Sequence, residues 1–424
     1  RSGRSRGIIS GNVLFSALFA TFWILAVAYG SHAFALWLIP EKERSLRHVA
    51  AALLGASAAT VAFEFLAPLR LFAIGPASAA VGLYALLAWV ITRRSPLQVL
   101  ELLGADFSAL VRRVFGDGKP LRLALGALLA LPALLIGTRA LIMPPLGWDT
   151  LTYHGVKAAM WVQYQGALPL ITPSGWGTYR YYPAGAEILG AWAMLPFSSD
   201  LFYPTVDVLC WLTLWPAIRS LCRELDVPTK LREPLSLYLL TVPGLYYWVG
   251  SGYSEPVLYM YLVGGSLFLV RFLRGDQPAV SAALALLAFG AAAQVKLNAV
   301  PLWPVAFAFI LGAGLGESRQ HRGWQRGLLA GFAMAAAVLC PMLVRNWIEQ
   351  GLPLSPYPIS LGPLVLGEAS NGMQWYRELE LVAADRLTRE LHSHTSIFGL
   401  KKSFGPALGP LAIPIVLLAP FGLL

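Results

Sequence analysis

Charged residues are scarce in this chain of 424 residues, and their scarcity excludes whole classes of protein. Only 13% of the residues are Asp, Glu, Lys or Arg, whereas 57% are hydrophobic, so a soluble globular domain is excluded. Cysteine is also rare. Cys210, Cys222 and Cys340 lie in or beside apolar runs without metal-ligand spacing, which argues against a disulfide framework and against a cysteine metal site. The chain has no internal repeat.

Long apolar runs take up most of the chain instead. Runs of roughly 17–25 residues can each cross a hydrocarbon layer of about 30 Å as a helix. The chain lacks the alternation of polar and apolar residues that is typical of the strands of a β-barrel. We therefore expect an all-α polytopic membrane protein with about eleven transmembrane helices. The predicted spans are residues 9–39, 48–67, 71–91, 121–142, 201–221, 235–250, 255–272, 278–295, 298–315, 328–344 and 404–424.

The net charge of +10 is best explained by basic loops on the cytoplasmic side of a membrane rather than by nucleic acid. Basic residues cluster at 92–120, 219–234, 271–274 and 319–326. Placing all four clusters in the cytoplasm is consistent only if residues 185–199 form an interfacial helix that does not cross the membrane. The remaining loops then share the extracytoplasmic side: residues 143–200, 250–255, 296–298 and 345–403. The basic residues at 1–6 do not fit this arrangement, because it places their positive charge on the extracytoplasmic side.

We predict two regions. Residues 1–120 would be an additional N-terminal module of three spans followed by a helix on the cytoplasmic surface. Residues 121–424 would be the transmembrane core, with an extracytoplasmic loop at 143–200 that carries interfacial helices and an outer loop at 345–403. The chain begins at Arg1 without a methionine and stops inside an apolar run, so we expect the native protein to extend past one or both ends.

Asp149 is the first candidate site residue, because it opens the loop that follows the span 121–142. Aspartate is a favoured N-cap, since its carboxylate accepts hydrogen bonds from free backbone N–H groups of the first helical turn. The alternative is a general base or a metal ligand, joined at the mouth of a cavity by Tyr153 and His154. A lone histidine is more often a hydrogen-bonded structural residue than a ligand.

Three further candidates lie in the predicted extracytoplasmic segments. Tyr182 belongs to an aromatic loop that either anchors the protein at the membrane surface or stacks on a sugar. Glu187 follows it at the start of the interfacial helix. Glu255 begins a span, where it either caps the helix or has a functional role, because an acid at the edge of hydrocarbon is costly unless it is paired or faces water.

The remaining candidates suit an anionic ligand. Lys296 sits at a tight outer turn with Asn298 close by, and it either snorkels towards the membrane surface or binds phosphate as a compact charge. Arg345 ends a span, and its planar guanidinium is well suited to phosphate recognition, although it could be an ordinary flanking charge.

Taken together and in this order, these residues resemble the glycosyltransferase type C (GT-C) superfamily, which includes the protein O-mannosyltransferase-like and aminoarabinose-transferase-like families. The resemblance covers about residues 121–424. It is carried by Trp148-Asp149 with Tyr153-His154, by the run from Tyr182 to Leu189, by Glu255, by Lys296-Leu297-Asn298, and by the run from Pro341 to Trp347. The chain departs from the family in three respects: four spans precede the acidic loop, no Asp-Asp or Asp-Glu dipeptide occurs at 149–150, and no soluble C-terminal domain is visible.

The resemblance implies an inverting transfer of a sugar from a polyprenyl-phosphate donor to an acceptor on the extracytoplasmic face of a bacterial inner membrane, facing the periplasm or cell exterior. Asp149 would be the catalytic base and Glu255 a second catalytic acid. Substrate would contact Tyr153, His154, Tyr182, Glu187, Lys296, Asn298 and Arg345. A divalent metal, if one is required, would be held by Asp149, His154 and Glu255. The implied partners are the lipid-linked donor and membrane lipids, with no nucleic acid.

Two other functions remain open. A non-catalytic GT-C-like subunit would keep the scaffold and dock on a larger membrane assembly, with residues 1–120 as the surface for a membrane protein partner. A transporter of lipid-linked sugar is the second alternative. Transporters usually carry ionisable groups near the middle of the membrane and inverted repeats, whereas here the charges collect at one boundary.

Overall fold

The computed structural model describes residues 9–115, 120–145, 147, 149–167, 181–316, 323–354, 359–361 and 364–366. The helices of these ranges are α1 (Ile9–Leu38), α2 (Arg44–Leu66), α3 (Ile74–Thr92), α4 (Pro96–Phe115), α5 (Pro120–Ile142), α6 (Gly155–Tyr164), α7 (Gly185–Met194), α8 (Thr205–Glu224), α9 (Thr229–Leu240), α10 (Pro243–Tyr246), α11 (Glu255–Leu273), α12 (Pro278–Val295), α13 (Leu302–Gly316) and α14 (Trp324–Gln350). Short helical turns cover Thr150–His154, Asp200–Phe202 and Leu297–Ala299. One antiparallel ribbon joins β1 (Ile359–Leu361) and β2 (Leu364–Leu366).

Within the described residues, eight helices are long and apolar enough to cross a membrane, which confirms an all-α membrane protein. They are α1, α2, α3, α8, α11, α12, α13 and α14, with α8 and α13 each counted together with the helical turn before it. Helix α7 has ten residues and is about 15 Å long, half of a hydrocarbon layer, so it cannot cross. The total of about eleven spans stays a prediction, and the last predicted span, 404–424, lies outside the described residues.

The predicted span 235–250 is not one helix. Helix α9 ends at Leu240, and α10 begins at Pro243, which has no backbone N–H and is favoured in the first turn of a helix. The chain nevertheless runs the length of the bundle here. Glu233 pairs with Arg219 at one end, and Gly252 binds Asp207 at the other. The helix is therefore interrupted near the middle of this segment, although the chain continues along the bundle.

Helix α12 is the centre of the bundle, and every residue from Ser281 to Val295 is buried. Small residues allow α14 to pack against it at close range. A Cβ on Gly327 would come within 2.1 Å of the carbonyl oxygen of Ala279, and a Cβ on Gly290 within 2.6 Å of the Cβ of Ala335. Such contacts between small residues are typical of packed membrane helices, where backbones can approach closely.

Helix α2 belongs to the same hydrophobic core as the helices beyond residue 120. Its buried Leu46 and Leu53 lie in one cluster with Val257 and Phe268 of α11 and with Leu284 of α12. The predicted N-terminal module, residues 1–120, is therefore joined to the rest of the chain through α2. Helices α1 and α3 pack against each other and against α2, and Trp23 of α1 also meets Trp192 of α7.

Several arginine–carboxylate pairs lie at one end of the bundle, which we call the arginine end. The arginines of these pairs are Arg47, Arg219, Arg271 and Arg274. Arg271 is enclosed and contacts both Glu43 and Glu224, while Arg47 donates to Asp106 of α4. The described arginines of the predicted cytoplasmic segments 219–234 and 271–274 lie at this end, where α8 and α11 finish and α2 begins.

Candidate functional site

The opposite end of the bundle, the site end, contains Asp149, Glu187, Glu255, Lys296 and Arg345. It begins with a turn of π-helix at Thr150–His154, in which the N–H of Gly155 donates to the carbonyl of Thr150. In an α-helix, residues five apart point roughly 140° away from each other. The wider π-turn, with bonds between residues five apart, brings Asp149 and His154 towards the same face. Such turns are frequent at functional sites.

The carboxylate of Asp149 does not cap the helix, so the capping interpretation is wrong. Asp149 already has helical backbone angles (φ −64°, ψ −30°), and its side chain accepts no capping hydrogen bond. Its backbone N–H donates instead to the hydroxyl of Tyr253 at 3.3 Å. The side chain is half-buried, and within the described part of the chain its carboxylate has no hydrogen-bond or ion-pair partner. Asp149 is thus held by its backbone while its carboxylate stays available.

Three enclosed side chains form a cluster at the end of this turn: His154, Lys157 and, from α7, Glu187. Nδ1 of His154 lies 2.8 Å from Oε1 of Glu187, and Nζ of Lys157 lies 3.6 Å from the same oxygen. Glu187 is 0% exposed and the other two side chains are 4–6% exposed. Lys157 also donates to the carbonyl of Tyr182 at 3.4 Å. His154 and Lys157, three residues apart, reach Glu187 together because they share one face of the helix.

Electrostatics within this cluster favour the ionised carboxylate. Burial alone would raise the pKa of Glu187, but Lys157 and His154 together lower it below its ordinary value. Burial lowers the pKa of Lys157, an effect that the neighbouring Glu187 opposes and the charge of Arg345 reinforces. The cluster is therefore held together by opposite charges in a place that water does not reach.

Glu255 and Lys296 form a second pair. Glu255 is the first residue of α11, and Lys296 directly follows α12. Nζ of Lys296 lies 2.5 Å from Oε1 of Glu255, and the lysine side chain remains 31% exposed. Glu255 and Lys296, for which the sequence indicated separate roles, are therefore partners. The ammonium group of Lys296 is still accessible to solvent.

Arg345 and Asn298 differ in their surroundings. The guanidinium of Arg345 donates to the amide oxygen of Asn346, and Asn346 in turn donates to the carbonyl of Tyr181 at 2.9 Å. Arg345 also lies close enough to Glu64 and Lys157 to affect them electrostatically. Asn298, by contrast, is exposed on the turn after Lys296 and does not join the buried groups.

Aromatic rings line the same end. The rings of Tyr153 and His154 lie 4.0 Å apart, and Tyr153 meets Tyr182 edge to face at 6.4 Å. Tyr253 lies 6.4 Å from His154 and stacks on Trp248 at 4.4 Å. The predicted ring of Tyr153 and the ring of Tyr253, which was not predicted, therefore both lie beside the imidazole, and Tyr182 lies next to Tyr153.

The predicted metal ligands Asp149, His154 and Glu255 do not meet. His154 is bound to Glu187 and Glu255 to Lys296, and no group of three or more His, Cys, Asp or Glu side chains in the described ranges could hold a metal ion. In the described part of the chain, these three candidate ligands therefore do not come together as one metal site.

Some residues of this end were not predicted. Lys157 follows His154 by three residues, and this helical spacing could have indicated that the two side chains lie on the same face. Asp207 stands alone in an apolar span, and an acid in such a place is often functional. Its carboxylate accepts from the backbone N–H of Gly252 at 2.7 Å and so fixes the turn that carries Tyr253. Gln294, which donates to Glu64 at 2.9 Å, gave no such signal.

The site end thus combines an available carboxylate, a histidine bound to a buried carboxylate, three cationic side chains and several aromatic rings. Such a set can remove a proton from a hydroxyl or amine and can stabilise negative charge on a departing group. Comparison of the chain with protein-family models, with curated protein sequences and with solved structures gave no match.

Proposed function

We propose that the chain is a membrane glycosyltransferase that moves a sugar from a polyprenyl-phosphate donor to an acceptor, with Asp149 as the base. The observation that carries this proposal is the carboxylate of Asp149, which neither caps its helix nor pairs with another described residue. Its backbone is fixed by Tyr253, so the carboxylate is positioned without being used. The resemblance to the GT-C superfamily adds support.

In the proposed reaction, Asp149 removes the proton from a hydroxyl or amine of the acceptor. The freed oxygen or nitrogen attacks C1 of the donor sugar and forms the new bond, while the bond from C1 to the phosphate oxygen breaks and that oxygen keeps the electron pair. The configuration at C1 is inverted. Proton removal by a positioned carboxylate contributes roughly 10²–10⁴-fold to rate.

The negative charge on the departing polyprenyl phosphate needs a cation, because a preorganised charge at the place where charge develops lowers the barrier. Lys296 suits this role since its ammonium group is partly exposed and one hydrogen-bond partner, Glu255, already fixes it. Arg345 is the second candidate. When phosphate binds Lys296, Glu255 becomes free to orient the acceptor.

We place this site on the extracytoplasmic face of a bacterial inner membrane. The support is the distribution of positive charge, because membrane proteins concentrate Lys and Arg on the cytoplasmic side and the arginine end lies opposite Asp149. The aromatic rings of Tyr153 and Tyr182 would then lie where a lipid-linked sugar enters from the outer leaflet, and their faces suit the apolar face of a sugar ring.

The experiment that tests the proposal uses the full chain in liposomes. A panel of polyprenyl-phosphate hexoses and pentoses is supplied with a cell-envelope extract as acceptor, and the release of polyprenyl phosphate is measured. We expect release from at least one donor that heat-denatured protein does not give. Absence of release from every donor, together with no measurable donor binding, would contradict the proposal.

A further inference from the structure

Helix α4 lies along the arginine end instead of running through the bundle. Just before the helix, Arg94 pairs with Glu41 at 3.0 Å. Further along, Asp106 pairs with Arg44 at 3.0 Å and with Arg47 at 2.8 Å. The helix between these two anchor points is about 15 Å long. All three partners nevertheless belong to the connection from α1 to α2 or to the first turn of α2, so both anchor points lie at the same level of the bundle.

The charges of α4 also keep it out of the hydrocarbon layer. The helix has 20 residues and is long enough to cross a membrane, but it is not one of the eight candidate spans. The charged residues that interrupt it are Glu101, Asp106, Arg112 and Arg113. Length, charge and the two anchor points therefore agree on a helix that lies in the plane of the membrane surface.

Three stripes run along α4, because residues three or four apart share one side of a helix. The first stripe packs on the bundle, with Val99 enclosed and Leu102 and Leu103 partly buried. The second is apolar and exposed, and it consists of Leu97, Leu100, Gly104, Phe107 and Val111. The third is exposed and mostly polar, and it consists of Gln98, Glu101, Ala105, Ser108 and Arg112. Helix α4 thus has a second apolar side that stays exposed and lies next to a polar one.

The surface of a lipid bilayer fits these stripes. Helices in the plane of a membrane surface place an apolar side at the edge of the acyl chains and a polar side in water. Arginines stand near both ends of the apolar stripe of α4. Arg93 and Arg112 are exposed, and neither has a hydrogen-bond or ion-pair partner within the described ranges. The neighbouring Arg44, Arg47 and Arg94 are instead paired with carboxylates.

We propose that α4 is a binding site for anionic lipid headgroups, with its apolar stripe at the edge of the acyl chains and Arg93 and Arg112 on the headgroup phosphates. A basic side chain near an anionic lipid surface strengthens binding about fivefold. Glu101, the acid of the polar stripe, lies about three helical turns before Arg112 and leaves that charge uncancelled. The proposal requires a membrane protein but does not depend on sugar transfer.

The first test measures the depth of the two exposed stripes. The full chain is reconstituted in liposomes of phosphatidylcholine and phosphatidylglycerol and carries one spin label at an introduced cysteine. Cys340→Ala removes the exposed native cysteine, and Cys210 and Cys222 are buried. Collision with oxygen reports hydrocarbon, and collision with a nickel chelate reports water. The labelled positions are Leu100→Cys and Phe107→Cys on the apolar stripe, with Glu101→Cys and Ser108→Cys as matched controls on the polar stripe.

We expect oxygen to reach the labels at residues 100 and 107 and the nickel chelate to reach those at 101 and 108. Nickel access on both stripes would show that the apolar stripe does not meet lipid. Access of neither agent at 100 and 107 would show that protein covers the stripe, as a docked partner would. Oxygen access on both stripes would show a helix sunk in hydrocarbon. Each of these three results would overturn the proposal.

The second test measures the preference for negative charge at each end of the stripe. A bimane fluorophore at Leu97→Cys or Val111→Cys, again with Cys340→Ala, is quenched by brominated phosphatidylglycerol or brominated phosphatidylcholine. We expect phosphatidylglycerol to be preferred at both positions. Arg93→Gln should lower the preference about fivefold at residue 97, and Arg112→Gln should do so at residue 111. Arg70→Gln, which changes an exposed arginine between α2 and α3 at the site end, is the matched control and should change neither. Equal quenching by the two lipids, or the same effect of all three substitutions, would overturn the proposal.

Discussion

Nζ of Lys157 lies 3.6 Å from Oε1 of Glu187, and neither side chain reaches solvent. Each charge is tolerated there because the other is present. Neutralising one partner leaves an uncompensated buried charge, which typically costs about 3–5 kcal/mol, whereas neutralising both often costs little.

We therefore predict that Glu187→Gln lowers the free energy of unfolding by about 3–5 kcal/mol. The double variant Lys157→Met/Glu187→Gln should recover most of this loss. Denaturant-induced unfolding in detergent measures both. Equal stability of the single and double variants would show that the two charges do not depend on each other.

The same pair predicts how stability changes with pH. The pKa of Glu187 is lowered in the folded protein by Lys157 and His154, against the effect of burial. Below the ordinary carboxyl pKa of about 4.3, the unfolded chain therefore binds more protons than the folded one, and acidification favours unfolding.

The stabilisation from Glu187 should be fully present above about pH 4.3 and should be lost as pH falls towards the lower pKa of the folded state. Thermal unfolding of the wild type and of Lys157→Met/Glu187→Gln between neutral and acidic pH measures it. We expect a steeper acid loss in the wild type. Parallel curves would contradict the lowered pKa.

The pair formed by Lys296 and Glu255 predicts a loss of donor affinity. Lys296→Ala removes a partly exposed ammonium group, and we expect the KM for the polyprenyl-phosphate donor to rise about tenfold, which corresponds to about 1.4 kcal/mol. Lys296→Arg keeps the charge and should recover part of the affinity. If donor affinity is unchanged in Lys296→Ala, the lysine serves only as the partner of Glu255.

The contact between α12 and α14 gives a prediction about the fold. A Cβ on Gly327 would overlap the backbone of Ala279, so Gly327→Ala forces the helices apart and should lower the free energy of unfolding by about 1–3 kcal/mol. Gly312→Ala is the matched control, because nothing lies within 4 Å of the added carbon. Alanine in that helix should be neutral or stabilising by up to about 1 kcal/mol. Equal effects of the two substitutions would contradict the close packing.

The grouping of polar residues at one end was predictable from the sequence, because the positions of Lys and Arg constrain which loops share a side of the membrane. Which residues of this group pair with each other was not predictable from the sequence. Lys296 and Glu255 are 41 residues apart and His154 and Glu187 are 33 apart. The packing of α11 against α12 brings the first pair together, and the packing of α6 and its π-turn against α7 brings the second pair together. A sequence with apolar runs does not specify which helices touch.

Local geometry was also beyond sequence patterns at two places. The segment 235–250 is apolar enough for a span, but Pro243 begins a new helix there. Asp149 precedes a helical segment as a cap would, but the π-turn makes it part of the helix and leaves its carboxylate free of capping bonds. A π-turn has no residue pattern of its own, so its effect on the direction of Asp149 and His154 appears only in the structure.

The central claim, that Asp149 is the base of a sugar transfer, is tested most directly by the turnover of Asp149→Asn beside Asp200→Asn. Asp200 is an exposed acid at the start of a neighbouring helical turn, which makes its variant the matched control. Asparagine keeps the size of the side chain but cannot accept the proton. We expect release of polyprenyl phosphate to fall by about 10²–10⁴-fold in Asp149→Asn and to stay unchanged in Asp200→Asn, with both variants as stable as the wild type. Full turnover in Asp149→Asn would contradict the claim.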